Sequence, residues 1–265
     1  MNTKKLYQKF WENGYVIVPN FLKKKEINQI FFQLNDLLNI AIGGKKNRLI
    51  NLNNINRRYL YLKNKNPKLK SHFYDLTQYS DKIVNLAGSD KFLKYAKLFL
   101  DAKTTFIEAP QVRIDHPKEK LNLPEHQELN KYSKDVITIW VPLVKTSKIN
   151  GGIYLRPKTH KLGHVKYEGS HIPAGDGDAR NKRSKILENL FNKKKFRKFK
   201  SISPKLKAGD ALMFHSFIFH GTHPNLTNKI RWTYISRYNS IKNAPYLKDK
   251  NAPLNIPMDA DYNFS

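Results

Sequence analysis

A chain of 265 residues, 40% hydrophobic and 12% aromatic, can bury a sizeable core and fits one large β domain or two small ones. The absence of cysteine excludes disulfides, thiolate nucleophiles and Cys-ligated zinc or iron–sulfur centres. A net charge of +28, from 49 Lys and Arg against 21 Asp and Glu, excludes an acidic protein and raises the question of an anionic partner.

The N-terminal stretch is amphipathic and charged, and no long apolar run follows anywhere, so a soluble, cytoplasmic protein is expected. Tyr15-Val16-Ile17-Val18-Pro19 is β-branched, lies between Gly14 and Pro19, and reads as a short strand. Between Lys25 and Asn39, Ile27, Ile30, Phe31, Leu34, Leu37 and Leu38 recur at helical spacing, one apolar stripe on a polar rod. Gly43 to Lys70 is rich in Asn and Lys without a strong period and reads as a polar connection. Ser80 to Leu100 reads as one or two helices, broken at Gly88-Ser89, that bury Phe92, Tyr95 and Phe99.

After residue 104 the pattern turns to strands. Thr104–Ile107, Gln111–Ile114, Val136–Leu143, Gly152–Leu155, Ala211–Phe214 and Ile230–Tyr238 are short, β-branched or aromatic, and separated by turns such as Asn150-Gly151-Gly152 and Lys207-Ala208-Gly209-Asp210. Helices first and many short strands afterwards predict an α+β fold with a closed or double-sheet β core, such as a jelly roll. The reading is one domain over 1–265. Its helical part is about 1–103, its β core about 104–240, and a basic insertion falls at about 168–205.

The charge has a plain reading and a sharp one. Lys is spread along the whole chain together with Asn and Ile, the usage that AT-rich codons give, so most of it reads as solvated surface and does not call for nucleic acid. One segment departs from this: Asn181 to Lys200 carries nine basic residues against one acid, Glu188, and reads as a basic lid or an insertion without a role.

Chemistry concentrates in two stretches. His126-Gln127-Glu128 puts an imidazole and a carboxylate at i and i+2, which point the same way from extended backbone. Phe219-His220-Gly221-Thr222 supplies a second imidazole, and Arg231 follows eleven residues after His220, a spacing that suits a neighbouring strand. Two histidines and one carboxylate are the ligand set that holds non-haem Fe(II) on one face. His215 and His223, close to His220, read as structural or supporting groups, while His160, His164 and His171 read as loop residues.

The order of segments resembles the phytanoyl-CoA dioxygenase family of Fe(II)- and 2-oxoglutarate-dependent oxygenases. The matching pieces run from Phe10-Trp11-Glu12-Asn13-Gly14-Tyr15-Val16 and Pro19-Asn20-Phe21-Leu22 to Glu125-His126-Gln127-Glu128 and Thr138-Ile139-Trp140-Val141-Pro142-Leu143. They continue through Asn150-Gly151-Gly152, Arg156-Pro157-Lys158-Thr159-His160 and Lys207-Ala208-Gly209-Asp210 to Phe214-His215-Ser216, His220-Gly221-Thr222 and Arg231. The resemblance implies a double-stranded β-helix (jelly roll, cupin-like) with the N-terminal helices packed outside. It implies His126, Glu128 and His220 as metal and catalytic ligands, and Arg231 and Thr222 on the far carboxylate of 2-oxoglutarate. Thr138, Trp140 and Gln111 would line the co-substrate pocket. The cofactors implied are Fe(II), 2-oxoglutarate and O2. The reaction implied is hydroxylation of a small molecule, with an anionic one fitting the charge, by a monomer or homodimer that gives succinate and CO2 as co-products.

Two positions depart from the family pattern. Glu128 stands where relatives have Asp, one methylene shorter, and Lys158 stands in a Pro-Gly-Ser-His turn at the place of Gly. Two other readings remain open at this level. One is a barrel that has lost iron at Glu128 and only binds; the other is an oxygenase of this fold directed at a nucleic acid or another polyanion.

Overall fold

The computed structural model describes residues 2–42, 51–118, 125–128, 136–165 and 192–240. Six helices among these residues come first and pack on one face of a sheet. Helix α1 (Thr3–Asn13) starts at Asn2, whose side chain accepts from Lys4 N–H, and stops at left-handed Gly14, whose N–H donates to Phe10 O. Helix α2 (Lys24–Ile42) buries the predicted stripe of Ile27, Ile30, Phe31, Leu34 and Leu38.

The expected polar connection at Gly43–Lys70 is corrected for the residues described. Helix α3 (Leu52–Lys65) occupies it, capped by the Asn51 side chain, and Asn66 and Pro67 open helix α4 (Pro67–Leu76). Ile55, Tyr59 and Leu62 do keep a helical spacing and are buried, but the Asn, Lys and Arg between them dilute it. Arg58 then ties α3 to α2, donating to the side-chain carbonyls of Asn35 and Asn39 at 2.6 Å each. Helices α5 (Asp81–Ala87) and α6 (Asp90–Leu100) meet at the expected Gly88-Ser89 break.

Strands β1 (Tyr15–Val18), β5 (Ala211–His215), β3 (Val136–Pro142), β7 (Arg231–Asn239) and β2 (Phe106–Asp115) form one antiparallel sheet in that spatial order. Thr104–Ile107 and Gln111–Ile114, expected as two strands, belong to the single strand β2, whose register to β7 shifts between Glu108 and Gln111. Strands β4 (Ile153–Leu155) and β6 (His220–Thr222) form a second, two-stranded sheet. Single bridges from His126 to His220 and from Ile202 to Leu155 extend it on both sides.

The five-stranded sheet is buried on both faces, and the two-residue alternation of a strand assigns each side chain to one of them. Ile137, Ile139 and Val141 of β3, with Trp232, Tyr234 and Tyr238 of β7, join the helices in the larger core. Trp140, Leu212, Phe214 and Ile235 point the opposite way and pack with Ile153 and Leu155 of the small sheet in a second core. The polar residues that share this second face are enclosed between the two sheets. Most of the expected basic insertion (166–191) lies outside the described residues, as do Gly43 to Ile50 and His171. No helix among the described residues is long and apolar enough to cross a membrane.

Candidate metal centre and its pocket

His126 and His220 meet as a backbone-paired couple: His126 N–H donates to His220 O at 2.8 Å, and His220 N–H returns to His126 O at 3.0 Å. Two residues along, Glu128 N–H donates to Ser216 O at 2.9 Å, which keeps the segment extended against the β5–β6 connection. The neighbours Glu125 and Gln127 face away and anchor the segment. Arg156 grips Glu125 with two donors at 2.6 and 3.2 Å. The Gln127 amide donates to Gly163 O and Phe217 O and accepts from Val165 N–H.

The outcome is three ligand atoms around one point. His126, Glu128 and His220 each offer one atom, all within 4.8 Å of one another. Glu128 Oε1 stands 3.9 Å from His126 Nε2 and 3.6 Å from His220 Nε2. Neighbouring ligands of an octahedral ion, at about 2.1 Å each, stand about 3 Å apart, so only a small inward shift separates these atoms from coordination. The imidazole tautomer agrees. His220 Nδ1 lies 3.0 Å from Ile218 O, an acceptor that holds the proton on Nδ1 and leaves the Nε2 lone pair facing the site.

Glu128 has one further partner that the motifs did not reveal. Arg237 Nη2 donates to Glu128 Oε1 at 2.9 Å. Burial raises the Glu128 carboxyl, but Arg237 and the two neighbouring imidazoles outweigh it and hold the group well below the usual carboxylate range. Burial pulls Arg237 down, and Glu128 and Glu108 more than reverse that.

A cavity opens beside the three ligands, lined by Gln111, Arg113, Thr138, Trp140, Phe214, Thr222, Ile235 and Arg237 along with Ile153, Glu128 and His220. Gln111, Thr138, Trp140 and Thr222 are therefore brought to it. Tyr74 O–H occupies Gln111 Oε1 at 2.6 Å, whereas Thr138 Oγ1 is buried with no hydrogen-bond partner among the described residues.

Arg231 reaches the same region from below. Its guanidinium is fully buried, 5.3 Å from the Trp140 ring centre, and bonds Asp115 Oδ2 at 2.5 Å and Thr233 Oγ1. Burial lowers Arg231 to about 10, against the opposing pull of Asp115. Gly151 makes this placement possible: at φ +83 it brings the loop so close that a Cβ would lie 3.2 Å from Arg231 Nε. Arg113, Asp115 and Arg237 were not singled out from the sequence. The signal was there, since Arg237 follows Arg231 in steps of two along β7, and Arg113 and Asp115 follow Gln111 along β2.

Three of the other histidines tie loops and strands together. His160 Nε2 bonds Trp11 O at 2.9 Å, His215 Nδ1 accepts from Phe217 N–H at 3.0 Å, and His223 Nε2 bonds Ser203 Oγ at 2.9 Å. Lys158, at the glycine place of its turn, takes the left-handed conformation itself (φ 69) and donates its N–H to Asn13 O.

Comparison with known proteins agrees with this geometry. No curated protein matches the chain significantly. Among solved structures, the epimerase SnoN in complex with Fe3+, alpha ketoglutarate and nogalamycin RO superposes with a TM-score of 0.62 at 15% identity, over 97% of this chain and 93% of that one. EctD from S. alaskensis with bound Fe gives 0.61 at 14%, over 92% and 78%. The non-heme monooxygenase ThoJ, as its Ni complex, gives 0.56 at 16%, over 91% and 77%. At such identities the likeness is one of fold. The sequence profile of phytanoyl-CoA dioxygenase (PhyH) matches residues 10–233, a span that holds His126, Glu128, His220 and Arg231, and the chain belongs to that family.

Proposed function

We propose that this protein is an Fe(II)- and 2-oxoglutarate-dependent dioxygenase that hydroxylates a small molecule. The observation that carries this is the convergence of His126, Glu128 and His220 at the wall of a cavity that also holds arginines and hydroxyls. Two facing antiparallel sheets with the ligands on the small one and the arginines on the large one support a jelly roll.

The donor set fits both groups. Two neutral imidazoles and a carboxylate suit Fe(II) and occupy one face of it. Thr138 Oγ1, Arg231 Nε and Arg237 Nε are buried without partners among the described residues, which suits a ligand rich in anionic oxygen. When bound, iron with 2-oxoglutarate supplies the oxidation of a C–H bond by O2, the keto acid leaving as succinate and CO2.

The residues of this chain do the rest. His126, Glu128 and His220 would hold the metal, and the Nδ1–H···O=C bond would keep the His220 lone pair on it. Arg231 would draw the far carboxylate inward, where a guanidinium fork suits it better than an ammonium. Thr222 and Thr138 would donate to its oxygens. Trp140, Phe214 and Ile235 would keep water away from the reacting face.

The test is anaerobic titration of the protein with Fe(II) and 2-oxoglutarate, followed by the visible metal-to-ligand charge-transfer band. The band is expected in wild type, absent in His220→Ala and weakened in Arg231→Ala. A folded wild type without the band would overturn the reading. One observation favours the second reading, a binding protein of the same fold: Glu128 Oε1, the oxygen facing both histidines, is already claimed by Arg237.

A further inference from the structure

Arg113 and Arg237 line the cavity, Arg231 is buried against Trp140 beside it, and two of the three are held in close ion pairs. Arg237 is matched by Glu128. Arg231 is matched by Asp115, whose Oδ2 sits 2.5 Å from its Nη2. Among the described residues, the ion pair of Arg113 is with that same oxygen, at 3.4 Å from its Nε, which Arg231 already holds at a much shorter distance. The Arg231–Asp115 pair is close to electrically neutral, so the surplus positive charge beneath the cavity belongs to Arg113. It is also Arg113, and not Arg231, that lines the cavity. Glu108 stands on the Arg237 side, where it raises that guanidinium and accepts from the Asn239 amide, and it is not part of the cavity lining.

We propose that Arg113 sets the affinity for 2-oxoglutarate by restoring the charge that Asp115 takes from Arg231, so that Arg113 supports co-substrate binding and Asp115 opposes it. This rests on the reading of the cavity as an iron and 2-oxoglutarate site. A dicarboxylate entering this site brings its far carboxylate to an Arg–Asp–Arg cluster with net charge +1. Without Arg113 the same carboxylate meets a neutral pair and must share Arg231 with Asp115, in a region where charge is poorly screened. Arg113 sits opposite Thr233 on the strand next to β7, and Asp115 sits opposite Arg231 itself, so the cluster is fixed by the β2–β7 register and not by loops. Arg113 is thus a positioning residue for charge, and Asp115 is its antagonist.

The experiment is the same anaerobic Fe(II) and 2-oxoglutarate titration, read as a dissociation constant from the charge-transfer band, on four variants. Arg113→Gln is expected to weaken 2-oxoglutarate about tenfold or more, the size of a lost charge-assisted bond, with Fe(II) affinity unchanged. Arg113→Lys keeps the charge and is expected to stay within about threefold of wild type. Asp115→Asn is expected to tighten 2-oxoglutarate, because it releases Arg231. The double variant Arg113→Gln/Asp115→Asn is expected to return close to wild type.

A merely structural Arg113 would give neither the opposite sign at Asp115 nor the rescue in the double variant. An unchanged constant in Arg113→Gln, or a loss in Asp115→Asn as large as that in Arg113→Gln, overturns the inference. If Arg113→Gln does not fold, Arg113→Lys and Asp115→Asn still decide the sign. No band in wild type removes the iron reading and this inference together. A normal wild-type band with an indifferent Arg113 removes the inference alone.

Discussion

Glu128 answers to two cations, one present as Arg237 and one expected as the metal. A carboxylate oxygen carries two lone pairs, so Oε1 can serve both, and the guanidinium then fixes a side chain that has one more rotor than Asp. This reading predicts that Arg237→Gln weakens Fe(II) binding about tenfold, the usual scale for a lost partner of a metal ligand. Anaerobic competition against a chromogenic chelator measures it. Tighter binding would show instead that Arg237 blocks the site.

At the same scale, His160 is held low by burial, against the opposing pull of its bond to Trp11 O. Because its folded value lies below the unfolded one, its contribution to stability is present above about pH 6.5 and is lost as pH falls through that value. Denaturant unfolding at pH 7.5 and 5.5 should show that decline in wild type and a smaller one in His160→Gln. Equal declines would mean that the ring plays no part.

Elements meet through a few such residues. Helix α1 is joined to the small sheet where Gly14, at φ +82, lies so close to the His160 ring that an added Cβ would fall 2.4 Å from Nδ1. Gly14→Ala should therefore cost about 1–3 kcal/mol from backbone strain, with more from the contact, as read by urea unfolding. On the opposite face, Tyr238 O–H donates to Ala87 O at 2.8 Å and Tyr234 O–H to Ile83 O at 2.9 Å, pinning α5 to β7. Tyr238→Phe should cost about 1–3 kcal/mol in the same assay, since a buried carbonyl loses its donor. An undiminished midpoint in either variant would contradict the packing described.

How much of this was legible follows from what each residue displays on its own. The strands around the cavity were visible because β-branched and aromatic runs between turns need no partner to be recognised. Leu52–Lys65 was not, because its helicity rests on Ile55, Tyr59 and Leu62 burying against elements far away. The convergence of His126, Glu128 and His220 was legible because their types and spacing are chemical. Arg237, Arg113 and Asp115 carried only the weak signal of standing in steps of two from Arg231 and Gln111, which in a chain with 49 basic residues does not stand out until the register is known. The join of Gly14 to His160 belongs to two matched motifs, yet nothing in either names the other.

At the scale of the whole molecule, the arginines that matter are the buried ones. Arg231 is fully buried and Arg237 lies on the face enclosed between the sheets, whereas most Lys described are exposed. Surface charge should then move co-substrate binding little, while the internal Arg and Asp cluster should move it strongly.

The reciprocal hydrogen bonds between His126 and His220 carry a further meaning. Two of the three side chains proposed to bind metal are rungs of one ladder, although almost a hundred residues of chain separate them. Their spacing belongs to the ladder and to the anchors of the His126 segment, Arg156, Gly163 and Val165, and not to the length of chain between the two rungs. A protease nick between residues 166 and 191 should leave two polypeptides, each bearing one histidine of that pair, that stay together and still bind Fe(II).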